Sequence, residues 1–421
     1  MPLCLAFLRQ SWWLGLWLGL ACFGQTNEEL FREYQFNFNL PGARANGMGG
    51  AFIGLSDDAS ASFTNPAGLA FLNETAITLE YRDRTLDALS GSFEGAITSE
   101  FEQQEATLAQ ATFFSLNFRL KSWYLGVFQY DYLNDTQERS FNSTSRDIFN
   151  RPRVEQRDIF LDLHGTARGV GVARRFGKWK VGVTFNELDI TAETQYSRQS
   201  LTIDIPPTRT SYFSTIDDKD TAFGYSVGIL HEPKENFSWG LVWRDNPKFS
   251  LTESARQLIN QQPLFDLEFE IPFVAPDVLG AGVRWRVRPQ LSILADWQRI
   301  FYSQIIKDGF FIVEGRNTDS EDNYTISDTN EIHIGSEWLI PGKNNVWALR
   351  AGFFRNPRHA VNYIGDDPAI VDRFRGTGLK DENHFTAGFG WVFKNTIELD
   401  ISANFWSQGQ EFTASVIWRK K

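Results

Sequence analysis

The chain has 421 residues and a formal net charge of −11, and no Pro/Ser-rich linker or charge run divides it, so one large body is a simpler reading than several soluble domains. Aromatic residues make up 15% of the chain, with 37 Phe and 14 Trp beside 33 Gly, yet its mean hydropathy is −0.31, which suits strands with one apolar and one polar face. The acidity argues against a nucleic-acid partner, whose phosphates need a basic surface, and no internal stretch reaches the ~18 consecutive apolar residues of a membrane helix.

Residues 1–24 read as a secretory signal. Arg9 precedes an apolar core of Trp12, Trp13, Leu14, Leu16, Trp17, Leu18 and Leu20 to Phe23, and Cys22 and Gly24 take the small-residue positions before a cleavage that starts the mature chain at Gln25. Lipidation of Cys22 is the alternative, although Gly19-Leu20-Ala21 lacks the Leu usual three positions before a lipidated Cys. Both cysteines, Cys4 and Cys22, fall in this segment, so the expected mature chain has no thiol, which fits export through an oxidising periplasm.

Residues 25–74 read as an N-terminal segment that forms a compact plug. Over 38–72, Gly and Ala dominate, strand alternation is missing, and small residues let backbone pack closely inside another structure. The candidate hatch residues are Gly47, Gly49, Gly50, Asp57, Asp58, Asn65, Pro66 and Ala67. Asp57 and Asp58 are expected to cap a short helix around Ala59 to Phe63. Pro66 fixes φ, and the Asn65 side chain can bond nearby backbone, so Asn-Pro-Ala suits a tight turn. Two readings stand side by side: a gate for ligand, or an anchor that holds the N-terminus in a lumen.

From residue 75 to 421 the sequence falls into short alternating runs that come in pairs. In 76–82, Ile77, Leu79 and Tyr81 share one face, while Thr78, Glu80 and Arg82 share the other. Turns at Lys121-Ser122, Gly177-Lys178, Pro233 to Asn236, Arg288-Pro289, Pro341 to Asn344 and Lys394-Asn395 join the pairs on one side. Polar segments at 85–111, 133–165, 191–222, 245–277, 301–330 and 355–383 read as long loops on the other. The result is an all-β chain: an antiparallel transmembrane β-barrel of about fourteen strands in a bacterial outer membrane, with periplasmic turns and outer loops. Asp296, Arg350, Glu398 and Asp400 alternate with Trp297, Leu349, Leu399 and Ile401, so these four ionisable groups are expected to line the lumen and the apolar ones to meet lipid.

Gly49-Gly50-Ala51, Asp57-Asp58-Ala59 and Asn65-Pro66-Ala67 resemble the hatch of the FadL-type outer-membrane transporters of long-chain fatty acids and aromatic hydrocarbons, the last triplet matching their Asn-Pro-Ala motif. The resemblance implies a fourteen-stranded barrel with a lumenal hatch and a hydrophobic small-molecule ligand. The same run is similar to the start of PorV/PorQ-type barrels, which implies instead exported proteins as partners in secretion or surface attachment. No barrel position matches the family by motif, so no ligand contact carries over.

Catalytic and cofactor signals are missing. The Gly-rich run has Phe52 where a dinucleotide pattern needs Gly, and no Gly-Lys-Ser/Thr or Gly-x-Ser-x-Gly occurs. His164, His231, His333, His359 and His384 are scattered without metal-ligand spacing. The chain therefore reads as a non-enzyme without cofactor or metal. Passive uptake of hydrophobic molecules through a plugged barrel is the first functional reading, a secretion-linked barrel the second, and an open porin the third and weaker one because of the plug.

Overall fold

Alternation of apolar and polar residues dictates strands that can be wet on one face only, and closing them into a ring leaves no edge unpaired. The computed structural model describes residues 37–93, 98–146, 150–309, 321–366 and 380–420. The expected signal segment, both cysteines and residues 25–36 lie outside the described residues.

Fourteen strands form the wall: β1 (Thr75–Leu86), β2 (Ala106–Leu120), β3 (Trp123–Arg146), β4 (Pro152–Phe176), β5 (Trp179–Thr202), β6 (Thr208–Lys234), β7 (Phe237–Asp245), β8 (Val278–Arg288), β9 (Leu291–Ile300), β10 (Thr329–Pro341), β11 (Asn345–Asn356), β12 (Glu382–Phe393), β13 (Ile397–Trp406) and β14 (Gly409–Lys420). Each pairs antiparallel with the next, and β1 closes the ring on β14 from Thr75↔Lys420 to Leu86↔Gly409. The turns at Lys121-Ser122 and Gly177-Lys178 are two-residue hairpins, with Leu120 opposite Trp123 and Phe176 opposite Trp179. Gly177, at φ +62°, supplies the left-handed conformation such a turn needs.

The outer segments depart from the loop expectation. β3 and β4 pair out to Arg146↔Pro152 and β5 and β6 out to Thr202↔Thr208, so 133–165 and 191–222 are mostly extended sheet. A hairpin of Leu89–Phe93 and Thr98–Gln103 adds to the outer half of β3, and one of Lys248–Ile259 and Gln262–Val274 adds to that of β6. The reason is local: these stretches alternate too, Ile159, Leu161 and Leu163 being buried between the more exposed Phe160 and Asp162. Their charged groups, which suggested loops, divide between the faces: Asp135, Arg139, Arg157 and Arg198 are buried on the inner one, while Asp158 and Asp162 stand on the more exposed one. Of the two remaining segments, the described parts fold inward: a helix, Ser303–Gly309, follows Tyr302, whose ring stacks on His359 at 4.1 Å, and Tyr302, Ile305, Tyr324, Ile326 and Val361 join the buried cluster. (Helices α1 and α2 are Ala43–Gly47 and Ala61–Thr64, and α3 is Ser303–Gly309.)

On β13, Leu399 and Ile401 are 42% and 55% exposed on the outer face, while Glu398 and Asp400 are 5% and 1% exposed on the inner one. Leu399→Arg is accordingly expected to cost about 2 to 4 kcal/mol in a urea titration in liposomes, as a charge at mid-depth does. A change near zero would place that face outside lipid. Topology has its own check: a cysteine at Asn142, on the outer extension of β3, should react with an impermeant maleimide in intact cells, while one at Lys178 stays shielded. The opposite labelling pattern would invert the barrel.

Candidate functional site

Residues 38–72 pass through the barrel interior as two short helices and a 3₁₀ turn of Pro66–Phe71, and Ala45, Met48, Ala51, Phe52, Asn65 and Ala67 have no exposed surface. A segment with this many backbone amides can be buried only if the wall answers them. It does so strand by strand. Asp296 Oδ2 on β9 accepts from the Phe52 and Ile53 amides at 2.6 and 2.7 Å. Glu80 on β1 accepts from the Gly42 amide at 2.6 Å, and His333 Nδ1 on β10 donates to the Gly49 carbonyl at 2.7 Å. Ser238, Thr184 and Thr386 donate to the carbonyls of Gly54, Ser62 and Gly47 at 2.6, 2.9 and 3.2 Å.

Among the residues singled out from sequence, the glycines lie where backbone meets backbone. A methyl on Gly47 would stand 2.9 Å from Gly388 Cα, and one on Gly49 2.7 Å from the Phe353 amide nitrogen. Gly49 and Gly50 also have φ of +64° and +73°, which disfavours any side chain there. Asn65, Pro66 and Ala67 form the start of the 3₁₀ turn: Asn65 Oδ1 accepts from the Ala67 amide at 3.2 Å, and Asn65 Nδ2 donates to the carbonyls of Ile53 and, on β6, Ile229 at 3.1 and 3.3 Å. Proline at the first position needs no amide partner there.

The capping expectation needs correction. The helix runs Ala61–Thr64 with Ser60 at its N-cap, and Asp57 takes no part in it. Asp58 Oδ1 accepts from the Ser60 amide and hydroxyl at 2.9 and 2.6 Å, while Asp57 Oδ1 accepts from Arg44 Nη1 at 2.7 Å. The guanidinium draws Asp57 because a buried cation needs a counter-charge more than a one-turn helix needs a second cap. Burial pushes the Asp58 carboxyl above the usual carboxylate range, with Arg44 and Ser60 working against that rise.

Asp296, Arg350, Glu398 and Asp400 all turn to the inside, but they do not face an open channel. Arg350 donates to Glu337 and to Asp400 at 2.9 and 2.6 Å, and the same Glu337 takes both arms of Arg44 at 2.8 and 3.0 Å. Glu398 pairs with Arg419. The wall charges thus tie the hatch segment to β10 and β11 through the two-pronged Arg44–Glu337 pair. Arg44 and Glu337 were not singled out from sequence; their only signal was an inward position on an alternating strand or an arginine amid small residues.

Also unforeseen is the row of wall glycines that makes room for the segment. Gly388 meets Gly47, Gly352 and Gly335 meet Met48, Gly282 meets Gly54, Gly228 meets Asn65, and Gly182 meets Pro66. Each sits on the polar face of its strand, where Gly is costly unless another backbone comes close, and that is the signal that could have found them.

Between the 37–50 stretch and the outer strand ends lies a cavity of about 240 Å³. Phe38, Phe63, Tyr132, Ile300, Tyr302 and Trp406 supply its apolar wall. One side is a stacked ladder across β10 to β13: His333 on Phe354 at 5.2 Å, Phe354 on His384 at 4.1 Å, and His384 on Trp406 at 5.0 Å. Scattered in sequence, His333 and His384 both stack on Phe354 because all three face inward on neighbouring strands. The lining carboxylates Glu331, Glu382 and Glu411 are engaged by His333, His384 and the Arg82–Arg84 pair. Arg244 differs: its three nitrogens donate to Phe63 O, Thr64 O and Gln298 Oε1 at 3.3, 3.0 and 3.3 Å, neutral acceptors all, and no described carboxylate lies within ion-pair distance of it. Among the described residues no group of His, Cys, Asp and Glu could hold a metal ion.

The sequence model of the family described as "Outer membrane protein transport protein (OMPP1/FadL/TodX)" matches residues 169–415. The chain belongs to this family. Among solved structures, a FadL homologue of Pseudomonas aeruginosa is 13% identical with a TM-score of 0.60, covering 91% of this chain and 98% of that one. The toluene transporter TbuX of Ralstonia pickettii is 16% identical with a TM-score of 0.57, over 91% and 99% of the two chains. The CymD monoaromatic hydrocarbon channel is 15% identical with a TM-score of 0.56, over 91% and 98%. At these identities the likeness is one of fold. No curated protein matches the chain. Membership in this family of outer-membrane transport proteins gives the secretion-linked alternative, and exported proteins as partners, no support.

Proposed function

We propose that this OMPP1/FadL/TodX family member is a passive outer-membrane transporter for hydrophobic small molecules, with residues 25–74 acting as a hatch after export and cleavage at Gly24. The observation that carries the reading is the aromatic-lined cavity of about 240 Å³ seated directly on the buried N-terminal segment. Its size is a little under the ~300–1,000 Å³ of sites for drug-sized ligands. A molecule partitions into it from outside and moves inward when the segment below shifts, without energy input.

Two ligand classes fit the family: plain aromatic hydrocarbons, named for CymD and TbuX, and fatty acids. Arg244 favours the second for this chain, since a buried guanidinium bonded only to neutral oxygens is best satisfied by a carboxylate on the ligand. Arg244→Gln is therefore expected to lower uptake of a labelled long-chain fatty acid by about tenfold or more, the worth of a charged hydrogen bond, and to leave toluene uptake nearly unchanged. Equal losses for both compounds would mean that Arg244 serves only to hold the hatch. Failure of the unmodified protein to take up either compound in liposomes would defeat the transport reading itself.

A further inference from the structure

The outward side chains make the two ends of the barrel unlike. Towards the short turns, Trp123, Trp179, Trp285, Trp338, Trp347 and Trp418 stand on the outer face, between 38% and 53% exposed. A tryptophan belt of this kind marks the level of lipid headgroups. At that level and beyond it, in the turns and strand ends, lie Lys121, Arg174, Lys178, Lys234, Lys343 and Lys394. The Arg174 guanidinium sits over the rings of Trp123 and Phe176 at 5.0 and 5.2 Å, and Lys394 Nζ over Phe393 at 5.1 Å, so these cations are held at the belt by aromatic faces.

No described carboxylate forms an ion pair with any of the six. The acids nearest this end turn inward and are committed elsewhere: Glu232 to Lys180, Glu337 to Arg44 and Arg350, and Glu398 to Arg419. Glu74 and Glu235 are the acidic residues left near the rim. The far end is the reverse. There the outward Arg168, Arg299 and Arg355 are matched by Asp189, Asp328 and Asp381. Among the described residues, a chain of net charge −11 therefore gathers these six cations, none paired with a carboxylate, at one rim of the barrel.

We propose that this rim is a docking surface for anionic phospholipid headgroups of the periplasmic leaflet. Strongly hydrated lysines and the planar fork of Arg174 suit phosphate oxygens, and the belt above them places those phosphates at the right depth. Recruitment of such lipids fixes the tilt and height of the barrel without touching the hatch or the cavity, so this inference stands apart from the transport reading.

The test uses the full chain, reconstituted in vesicles of phosphatidylethanolamine with a minor share of phosphatidylglycerol, re-extracted in mild detergent, and assayed for retained lipid by mass spectrometry. Phosphatidylglycerol should be enriched over its bulk share by about fivefold, the worth of one basic group at an anionic surface, and the enrichment should vanish at high salt. Combining Lys121→Gln, Lys178→Gln, Lys234→Gln and Lys343→Gln should abolish it. The control combination Lys219→Gln, Lys248→Gln and Arg256→Gln, at the opposite end, should not. Absence of enrichment, equal loss in the control, or capture of an acidic polypeptide in place of lipid would overturn the proposal. Should the quadruple variant fail to insert, enrichment in the unmodified protein that resists high salt does the same.

Discussion

Deletion of residues 38–72 turns a nearly closed barrel into a conducting one, with single-channel conductance in planar bilayers rising by at least an order of magnitude. A fourteen-stranded ring is wide enough to leave a channel unless something fills it. Here the filling is this segment, whose Ala45, Met48, Ala51, Phe52, Asn65 and Ala67 are sealed from solvent. It contributes no strand to the wall, which closes by itself from Thr75↔Lys420 to Leu86↔Gly409, so the shortened chain should still fold and remain heat-modifiable on gels. The freed Asp296, Glu337 and Arg350 then meet water, which solvates charge as well as the hatch amides did. High conductance in the unmodified protein would sink the plug.

Asn65→Leu should release the hatch without dismantling the barrel. The Asn65 side chain has no exposed surface and makes three hydrogen bonds, accepting from Ala67 and donating to Ile53 and Ile229, so it joins both halves of the segment to β6. A leucine, alike in branching but bulkier, leaves three buried backbone groups without that partner, at roughly 1–3 kcal/mol each, and crowds the wall at Gly228. That sum is comparable to what holds a short, helix-poor segment in place. The expected result is protease cleavage within 38–72 and raised leak conductance, with the strand ladder intact by circular dichroism. Asn65→Asp, which keeps the acceptor and loses the donor, should fall between. A hatch as protected as before would show that the wall glycines and Arg44 suffice to seat it.

Much of the fold was legible because a membrane barrel obeys one simple rule at every strand. Ile77, Leu79 and Tyr81 must face lipid and Thr78, Glu80 and Arg82 must not, and two-residue alternation records that requirement directly. Turns such as Lys121-Ser122 and Gly177-Lys178 were legible for the same reason, since a short polar break between two alternating runs leaves the chain no choice but to reverse. The long outer segments were misread as loops because their second face is wetted by water, so alternation there is between buried and exposed groups of mixed polarity. Ile159, Leu161 and Leu163 share a buried face of β4, but the charged Asp158 and Asp162 set among them gave the stretch a loop-like polarity until β5 paired beside it.

The sequence by itself determined the strand count, the two faces of the wall and the small-residue character of residues 38–72. Each of these depends on neighbours a few positions apart along one chain, or on a short motif such as Asn65-Pro66-Ala67. Only the tertiary structure decided what the inward residues do. That Asp296 receives Phe52 and Ile53, that Glu337 is shared by Arg44 and Arg350, and that His333 and His384 meet in one aromatic ladder all rest on contacts between strands far apart in sequence. Closure of the ring sets those distances, and strand pattern carries no record of which lumenal residue will face which turn of the hatch.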